Sequence, residues 1–485
     1  MHGPMGESSY TKEVTSVIKY IHSNTSVKDS MYEHAALYFI DADKEIAKKQ
    51  HLTAQVKEAR VALENANSKD KTKLAVELQS AEYLLNEETK IQKLAQQERQ
   101  ERVYKLCESI LLLSEGCDYQ DTQTDSAKFL GTLLLLSPHE GAKLPELHQK
   151  LKPAYKGVLA LRLLDKLLDE EIITNSYILQ KYQDELRFSE EEKGMSVFQR
   201  DVCVPIILAA LIQDIGLQHP LAQLILKGPE GNLDEYRVLE NDDRIALLKI
   251  NYQQSLNYLI HGVGLVTYRG NSREEKKLFD ENEKARLQFT KSLLTDSIKP
   301  KMAEGNLLKI PQIYASVVFS TKKESNLNNL PKATLVLDKA AQMKSINAEA
   351  TQHFISIVGH FPQGFGITYI PKDRENQDLE RYEYAIVFAL NPKNPFVPVC
   401  RTATRHLTFN SVGKRIVVPI ENNLYFATTR KKFSVISPER LEAILSKLCS
   451  NFAERKNLDL IPSHWNPYSY FCFTKFQNLW KKSKQ

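Results

Sequence analysis

The sequence predicts a mainly α protein with a small antiparallel β part toward its C-terminal end, and three observations carry that prediction. From about Ala42 to Arg102 the chain is poor in Gly, Pro and aromatics and rich in Ala, Glu, Lys and Gln, the composition of long exposed helices. From Val103 to Val358 dense apolar runs at helical spacing follow one another. After Gly359 the pattern changes to short β-branched and aromatic runs separated by Pro, Asn or Gly, which reads as strands.

Taken in order, residues 1–41 form an N-terminal segment. In 42–102, Leu52, Val56, Ala59, Leu63 and Ala66 follow 4-3-4-3 spacing, and Leu74, Leu78, Ala81 and Leu85 repeat it, so each set forms one stripe. The stretch "NANSKDK" between them has weak helix formers that can reverse the chain. Two arrangements stay open: an antiparallel helical hairpin, or one long helix that pairs with a second copy as a coiled coil. Residues 103–358 contain "VYKLCESILLLSEG", "AKFLGTLLLLSP", "GVLALRLLDKLLDEEII" and "PIILAALIQDIGLQHP". Leu159, Leu161, Leu163, Leu164, Leu167 and Leu168 are too dense for a one-sided surface helix and predict core.

In 359–436, "GFGITYIP", "YEYAIVFAL", "FVPVCRTATRHLTF", "GKRIVVPI" and "NLYFATT" predict the strands of a small sheet. In 437–485, "SPERLEAILSKLCSN" (Ser437 to Asn451) predicts a helix with Ser at its cap and Pro in its first turn, followed by an aromatic and then basic tail.

Bulk properties narrow the function. The chain has 485 residues, 42% hydrophobic and 26% charged, with a formal charge of +5. That excess is small for the length, so any nucleic-acid binding has to be local. Cys107, Cys117, Cys203, Cys400, Cys449 and Cys472 include no C-x-x-C pair, which predicts reduced thiols in a cytoplasmic setting. The start "MHGPMGESSYTK" lacks a basic-then-apolar leader, and the apolar run near Val202 to Ile212 is shorter than the roughly 20 residues of a membrane span. No transmembrane segment is therefore expected. Nucleophile elbows, Walker loops, His-Glu-x-x-His pairs and paired-Cys zinc motifs are missing from the sequence.

Four segments, in order, carry a family resemblance: "RDVCVPIILAALIQDIG", "DDRIALLKINYQQSLNYL", "LLKIPQIYASVVFST", and "GHFPQGFGITYIP" with "VFALNPKNPFVPVCR". Over roughly Arg200 to Arg401 the chain resembles the HD-GYP branch of the HD superfamily, bacterial phosphodiesterases that hydrolyse cyclic di-GMP. The resemblance implies an all-helical HD-like core and a closing β-hairpin. It also implies two or three metal ions held by imidazoles and carboxylates, which would lower the pKa of a bridging water and screen the phosphate.

Here the ligand positions are altered. Gln213 stands for the His of the His-Asp pair, Asn251 for the next His, and Gln312 and Ala315 for later aspartates, leaving only Asp214. After Leu259 the segment "IHGVGLVTYRGNSREEKK" has a single His261 and no Gly-Tyr-Pro. Amides supply neither the charge of Asp nor the basic nitrogen of His. The expectation is therefore a pseudoenzyme of this family with no catalytic residue, no metal and no cofactor. Asp214 reads plainly as a helix-end residue, and His219 and His261 as structural or exposed histidines.

Arg401 and Arg405 in "RTATR" have the spacing of the Arg-x-x-x-Arg element of PilZ domains, which bind cyclic di-GMP, but Asn410, Ser411 and Gly413 come too early for the accompanying turn. A solvated strand face is preferred there. Basic charge also collects in "TRKKFS" and in the final "LWKKSKQ". The sequence thus predicts a bacterial, cytoplasmic, non-catalytic signalling or scaffold protein acting through protein partners, signalling proteins among them, with homodimerisation through 42–102 open. One alternative is a cyclic-dinucleotide sensor using Arg401, Arg405, Lys414 and Arg415. A second is an active phosphodiesterase with non-standard ligands, in which His219 or His261 would join Asp214.

Overall fold

The structure is a computed structural model, and it describes residues 5–23, 27–183, 187–188, 194–300, 303–322, 326–433, 436–448 and 460–481. The mainly α expectation holds: helices dominate and one four-stranded antiparallel sheet lies in the last third of the chain. The chain divides into two compact units, 1–19 with 107–210 and 292–485, and 20–106 with 211–291. They interleave along the sequence, with each division falling inside a helix.

The second unit is built on a helical hairpin. Helix α2 (Met31–Glu64) begins at a capping box: the Ser30 side chain accepts from the Glu33 amide and the Glu33 carboxylate accepts from the Ser30 amide. It stops at Asn65, and α3 (Lys71–Ser114) runs back along it. The antiparallel direction shows in contacts whose members lie further apart in sequence toward the open end: Arg60–Glu82 at 2.8 Å, Lys48–Glu88 at 2.6 Å, and Gln92 Nε2 donating to the Glu45 carbonyl at 3.1 Å. Of the two arrangements the sequence left open, the weak helix formers of "NANSKDK" do reverse the chain. Both helices extend beyond 42–102.

At the base of the hairpin, Tyr38, Phe39, His219 and Tyr258 form an edge-on aromatic cluster. Around it lie the end of α7 (Val204–Ile212), a 3₁₀ turn at Ile215–Gln218, α8 (Pro220–Lys227), α9 (Asn241–Asn257) and a π-turn at Tyr258–Val263. The stretch Gln199–Gln218 is long and apolar enough to cross a membrane, and 83% of its most apolar window is buried inside the protein, as for a core helix.

The first unit centres on α5 (Leu144–Asp169), which packs against α4 (Tyr119–Leu135), α11 (Ala303–Val318) and α13 (Ala348–Val358). The leucines that predicted core are buried, among them Leu159, Leu161, Leu163, Leu164 and Leu167, each at 0% exposure. The sheet has the order β1 (Gly366–Tyr369), β2 (Glu383–Val387), β3 (Val399–Thr402), β6 (Arg415–Val417), all antiparallel. A two-stranded ribbon of β4 (Thr404–Arg405) and β5 (Thr408–Phe409) branches from it.

The segment "NLYFATT", expected as a strand, is a turn entering the short helix α14 (Ala427–Arg430). The segment meets β1 at one bridge, Asn423 opposite Tyr369, with the Leu424 amide donating to the Thr368 carbonyl at 3.0 Å; there Asn423 Oδ1 accepts from the Tyr425 amide and the Arg430 guanidinium donates to the Leu424 and Tyr425 carbonyls, which turns the chain away. The C-terminal helix spans Pro438–Leu448; the Asn451 end of that expectation, Cys449, Ser434 and the last four residues of the basic tail lie outside the described residues. The aromatic part of the tail packs on the sheet: Trp465 Nε1 donates to the Ala385 carbonyl and Trp480 Nε1 to that of Phe388.

Two buried polar clusters bear on stability, both in the first unit. Glu115 bonds Arg162 and Arg187 at 2.6 and 2.7 Å, Asp165 bonds Arg187 at 2.8 Å, and Gln199 Nε2 donates to Glu115 at 2.7 Å. Burial alone would raise the Glu115 pKa, but the two guanidiniums hold it down to about 2. In the other cluster the Ser137 hydroxyl lies 2.8 Å from His148 Nε2 while His148 Nδ1 lies 2.6 Å from the Ser320 carbonyl. That carbonyl needs a donor, so Nδ1 carries the proton and Ser137 donates to Nε2. Ser137 and His148 are both 0% exposed, so this nucleophile-and-base geometry has no access for substrate.

Burial pushes His148 down to about 4, and burial followed by the charge of His148 pushes His139 down to about 3. Both histidines are therefore neutral when folded and take up protons near 6.5 when unfolded. Their contribution to stability is full above pH 6.5 and is lost as pH falls toward 4 and then 3; that of Glu115 is full above 4.5 and is lost toward 2. The denaturant midpoint should fall continuously from pH 7 to pH 4, and a midpoint that stays level over that range would contradict these protonation states.

Candidate functional site

The residues singled out by the family resemblance fall into two groups. Gln213, Asp214 and Asn251 belong to the second unit, whereas Gln312 and Ala315 lie on α11 in the first. Ala315 is fully buried in helix packing, and Gln312 is half-buried.

In the second unit the geometry follows from Gly216. A Cβ at this position would sit 2.2 Å from the Asn251 carbonyl oxygen, so only glycine lets the turn approach α9 so closely. The close approach places Asn251 Nδ2 3.2 Å from the Gln213 carbonyl, which it donates to, and lets the Gly216 amide donate to Ser255 Oγ at 3.0 Å. The amide at position 251 is thus used to tie α9 to the end of α7 through backbone. Asp214 is the N-cap residue just before the 3₁₀ turn and makes no side-chain cap bond; burial first, and then the Asp214 charge, raise the pKa of the Tyr32 phenol. His219 caps α8, its Nδ1 accepting from the Leu221 amide at 3.2 Å, and His261 is exposed on the π-turn. Among the described residues no group of three or more His, Cys, Asp and Glu is placed to hold a metal ion.

The proposed nucleotide ligands on the sheet are also separated in role. Arg401 on β3 donates from Nε to the Leu479 carbonyl at 2.8 Å, from Nη1 to that of Gly413 at 3.1 Å and from Nη2 to that of Lys481 at 3.0 Å. Its guanidinium also lies over the Phe388 ring at 5.0 Å. All three nitrogens are occupied in fastening the C-terminal segment to the sheet, so Arg401 is a half-buried clamp rather than part of a solvated strand face. Arg405, Lys414 and Arg415 are exposed, and Arg415 stands across the ladder from Arg401.

Comparison with family models, with curated proteins and with solved structures finds no match to this chain.

Sequence spacing carried a feature that the stripe analysis passed over. Besides Leu74, Leu78, Ala81 and Leu85, helix α3 bears Val76, Tyr83, Leu84, Ile91 and Leu94, all at least half exposed. At 100° per residue these five lie on the side opposite the ion pairs and the Gln92 bond to α2. The signal was the i, i+7, i+15, i+18 spacing of Val76, Tyr83, Ile91 and Leu94, superposed on the first stripe. The outer row extends about 27 Å along the helix.

A cavity of about 980 Å³ in the first unit is lined by Arg162, Asp165, Lys166 and Asp169 among others. Its cations are already neutralised: Arg162 by Glu115 and Asp165, and Lys166 by Asp169 and Glu170.

Since amides and a methyl group stand where the resemblance would place metal ligands, at Gln213, Asn251, Gln312 and Ala315, purified protein should contain no stoichiometric manganese, iron or zinc. It should also leave cyclic di-GMP uncut when those ions are added. One equivalent of bound metal, or turnover abolished by a chelator, would contradict this.

Proposed function

We propose that this protein is a non-catalytic, HD-GYP-like scaffold of the bacterial cytoplasm that acts through protein contacts, with the outer face of α3 as its self-association surface. The observation that carries the reading is the outer apolar row, Val76, Tyr83, Leu84, Ile91 and Leu94, on a helix whose inner face is already occupied by α2. An apolar row of this length in water is a recurrent mark of a contact surface.

Charge along the row favours a second copy in antiparallel register. With the two-fold axis at residue 85, Val76 meets Leu94 of the other copy, Tyr83 meets Glu87, Ile91 meets Gln79 and Lys73 meets Gln97. Val76 and Leu94 then meet at both ends of the row, and no charged residue of this face is set against a like charge, whereas a parallel register would set Lys73, Glu87, Lys90 and Glu98 each against its own copy. A C2 arrangement uses every such pair twice. The amide-for-ligand replacements at Gln213 and Asn251 are in keeping with a role that needs no metal. The sensor reading loses support at Arg401, because phosphate would have to displace three carbonyl partners.

Sedimentation equilibrium of the full chain should show a monomer–dimer equilibrium. The Tyr83→Glu, Ile91→Glu double variant should weaken it by about a hundredfold, the scale of losing central apolar anchors, with an unchanged circular dichroism spectrum. A wild-type chain that remains monomeric at every concentration, or a variant that dimerises as well as wild type, would overturn the self-association reading.

A further inference from the structure

On a different side of the same hairpin, away from the outer row of α3, a groove of about 900 Å³ lies between α2 and α3 and is closed at one end by Asn257 and His261 of the adjoining turn. Its walls carry Lys49, Lys57, Lys93 and Arg99, against a single acid, Glu45. Elsewhere on the same two helices several cations have found carboxylates: Lys44 pairs with Asp41, Lys48 with Glu88, Arg60 with Glu82 and Lys73 with Glu77. Among the described residues no carboxylate lies within ion-pair distance of the four groove cations. Since the chain as a whole is nearly balanced at +5, this gathering of unneutralised charge is local.

Arg99 is the best placed of the four. Its Nε donates to the Gly262 carbonyl at 2.8 Å, and its guanidinium lies over the Tyr38 ring at 4.8 Å. Those two contacts fix the plane of the group and leave its Nη edge uncommitted, which is the geometry that receives two oxygens of a phosphate or carboxylate. The lysines add point charges on flexible stems around that fixed fork. Gln92 and Gln96 are held by the Glu45 and His261 carbonyls, so the groove floor is braced before any ligand arrives.

We infer that the groove between α2 and α3 is a binding site for a small oligoanion bearing several phosphate charges, held by Lys49, Lys93 and Arg99. The volume is in the range of small-molecule clefts, and Arg99 beside Tyr38, Lys93 next to the Gln92 that bonds Glu45, and Lys49 lie within about three turns of one another along α2. Several charges on the ligand are needed because the groove is open to water, where one ion pair contributes little. The site does not depend on the self-association face: its residues and the outer row of α3 are distinct.

The test is calorimetry on the full chain at low ionic strength with inorganic tripolyphosphate and with ATP. Both should bind, and added salt should weaken both. Equal affinities assign recognition to the phosphates alone, and tighter ATP binding assigns an added contact to the nucleoside; either result supports the site when the variants behave as follows. The Lys49→Gln, Lys93→Gln double variant should bind both probes at least about tenfold more weakly, the scale of losing charge-assisted hydrogen bonds. Lys44→Gln, on the same helix but paired with Asp41 outside the groove, should bind as wild type. Thermal denaturation of each variant checks that the hairpin is intact. No heat with either probe, or a double variant that binds as wild type, would overturn the inference, and repeating the titration with the Tyr83→Glu, Ile91→Glu chain separates it from the dimer reading.

Discussion

A helix with large apolar side chains on two opposite sides cannot satisfy both by folding back on one neighbour, and that constraint governs α3. Its inner face is satisfied by α2, with Lys48–Glu88 and Arg60–Glu82 marking the antiparallel direction. Its outer face, Val76 to Leu94, stays in water. At about 25 cal/mol per Å² of apolar surface, covering five half-exposed large side chains would release on the order of several kcal/mol, against which the cost of association has to be set. The pairing proposed for α3 uses that face.

Around the base of the hairpin, the aromatic cluster of Tyr38, Phe39, His219 and Tyr258 and the close approach at Gly216 hold turn and helix together. In the first unit, α5 supplies an almost wholly apolar core, interrupted by Arg162 and Asp165, whose charges are matched by Glu115 and Arg187. Buried ion pairs of this kind add little net stability over apolar residues, but losing one partner is costly. They make the packing of four sequence-distant segments interdependent.

Much of this was legible in the sequence because it depends on local period. The 4-3 spacing of Leu52 to Ala66 and Leu74 to Leu85 gives two long helices with apolar stripes, though not the choice between a hairpin and one continuous helix, the leucine density of 159–168 gives the core helix, and the β-branched runs give β1, β2, β3 and β6. What was not legible depends on partners far along the chain. "NLYFATT" has the composition of a strand, yet Asn423 and Arg430 bond its backbone into a turn. Arg401 has the look of an exposed strand residue, and its role as a clamp is set by carbonyls some eighty positions away. The burial of Arg187 requires Glu115 and Asp165, which no window around residue 187 contains. The HD-like positions read as one constellation in order along the sequence, but the chain distributes Gln213, Asp214 and Asn251 to one unit and Gln312 and Ala315 to the other.

The central claim is the antiparallel pairing of α3 with a second α3. Disulfide trapping measures it most directly: in a chain with Cys117 replaced by Ser, Val76→Cys and Leu94→Cys together should give a covalent dimer under mild oxidation, while either substitution alone should not. The pairing predicts that result because only antiparallel register brings position 76 of one copy against position 94 of the other. Equal cross-linking by the Val76→Cys chain alone, which parallel helices would give, or no cross-link from the double variant, would contradict it.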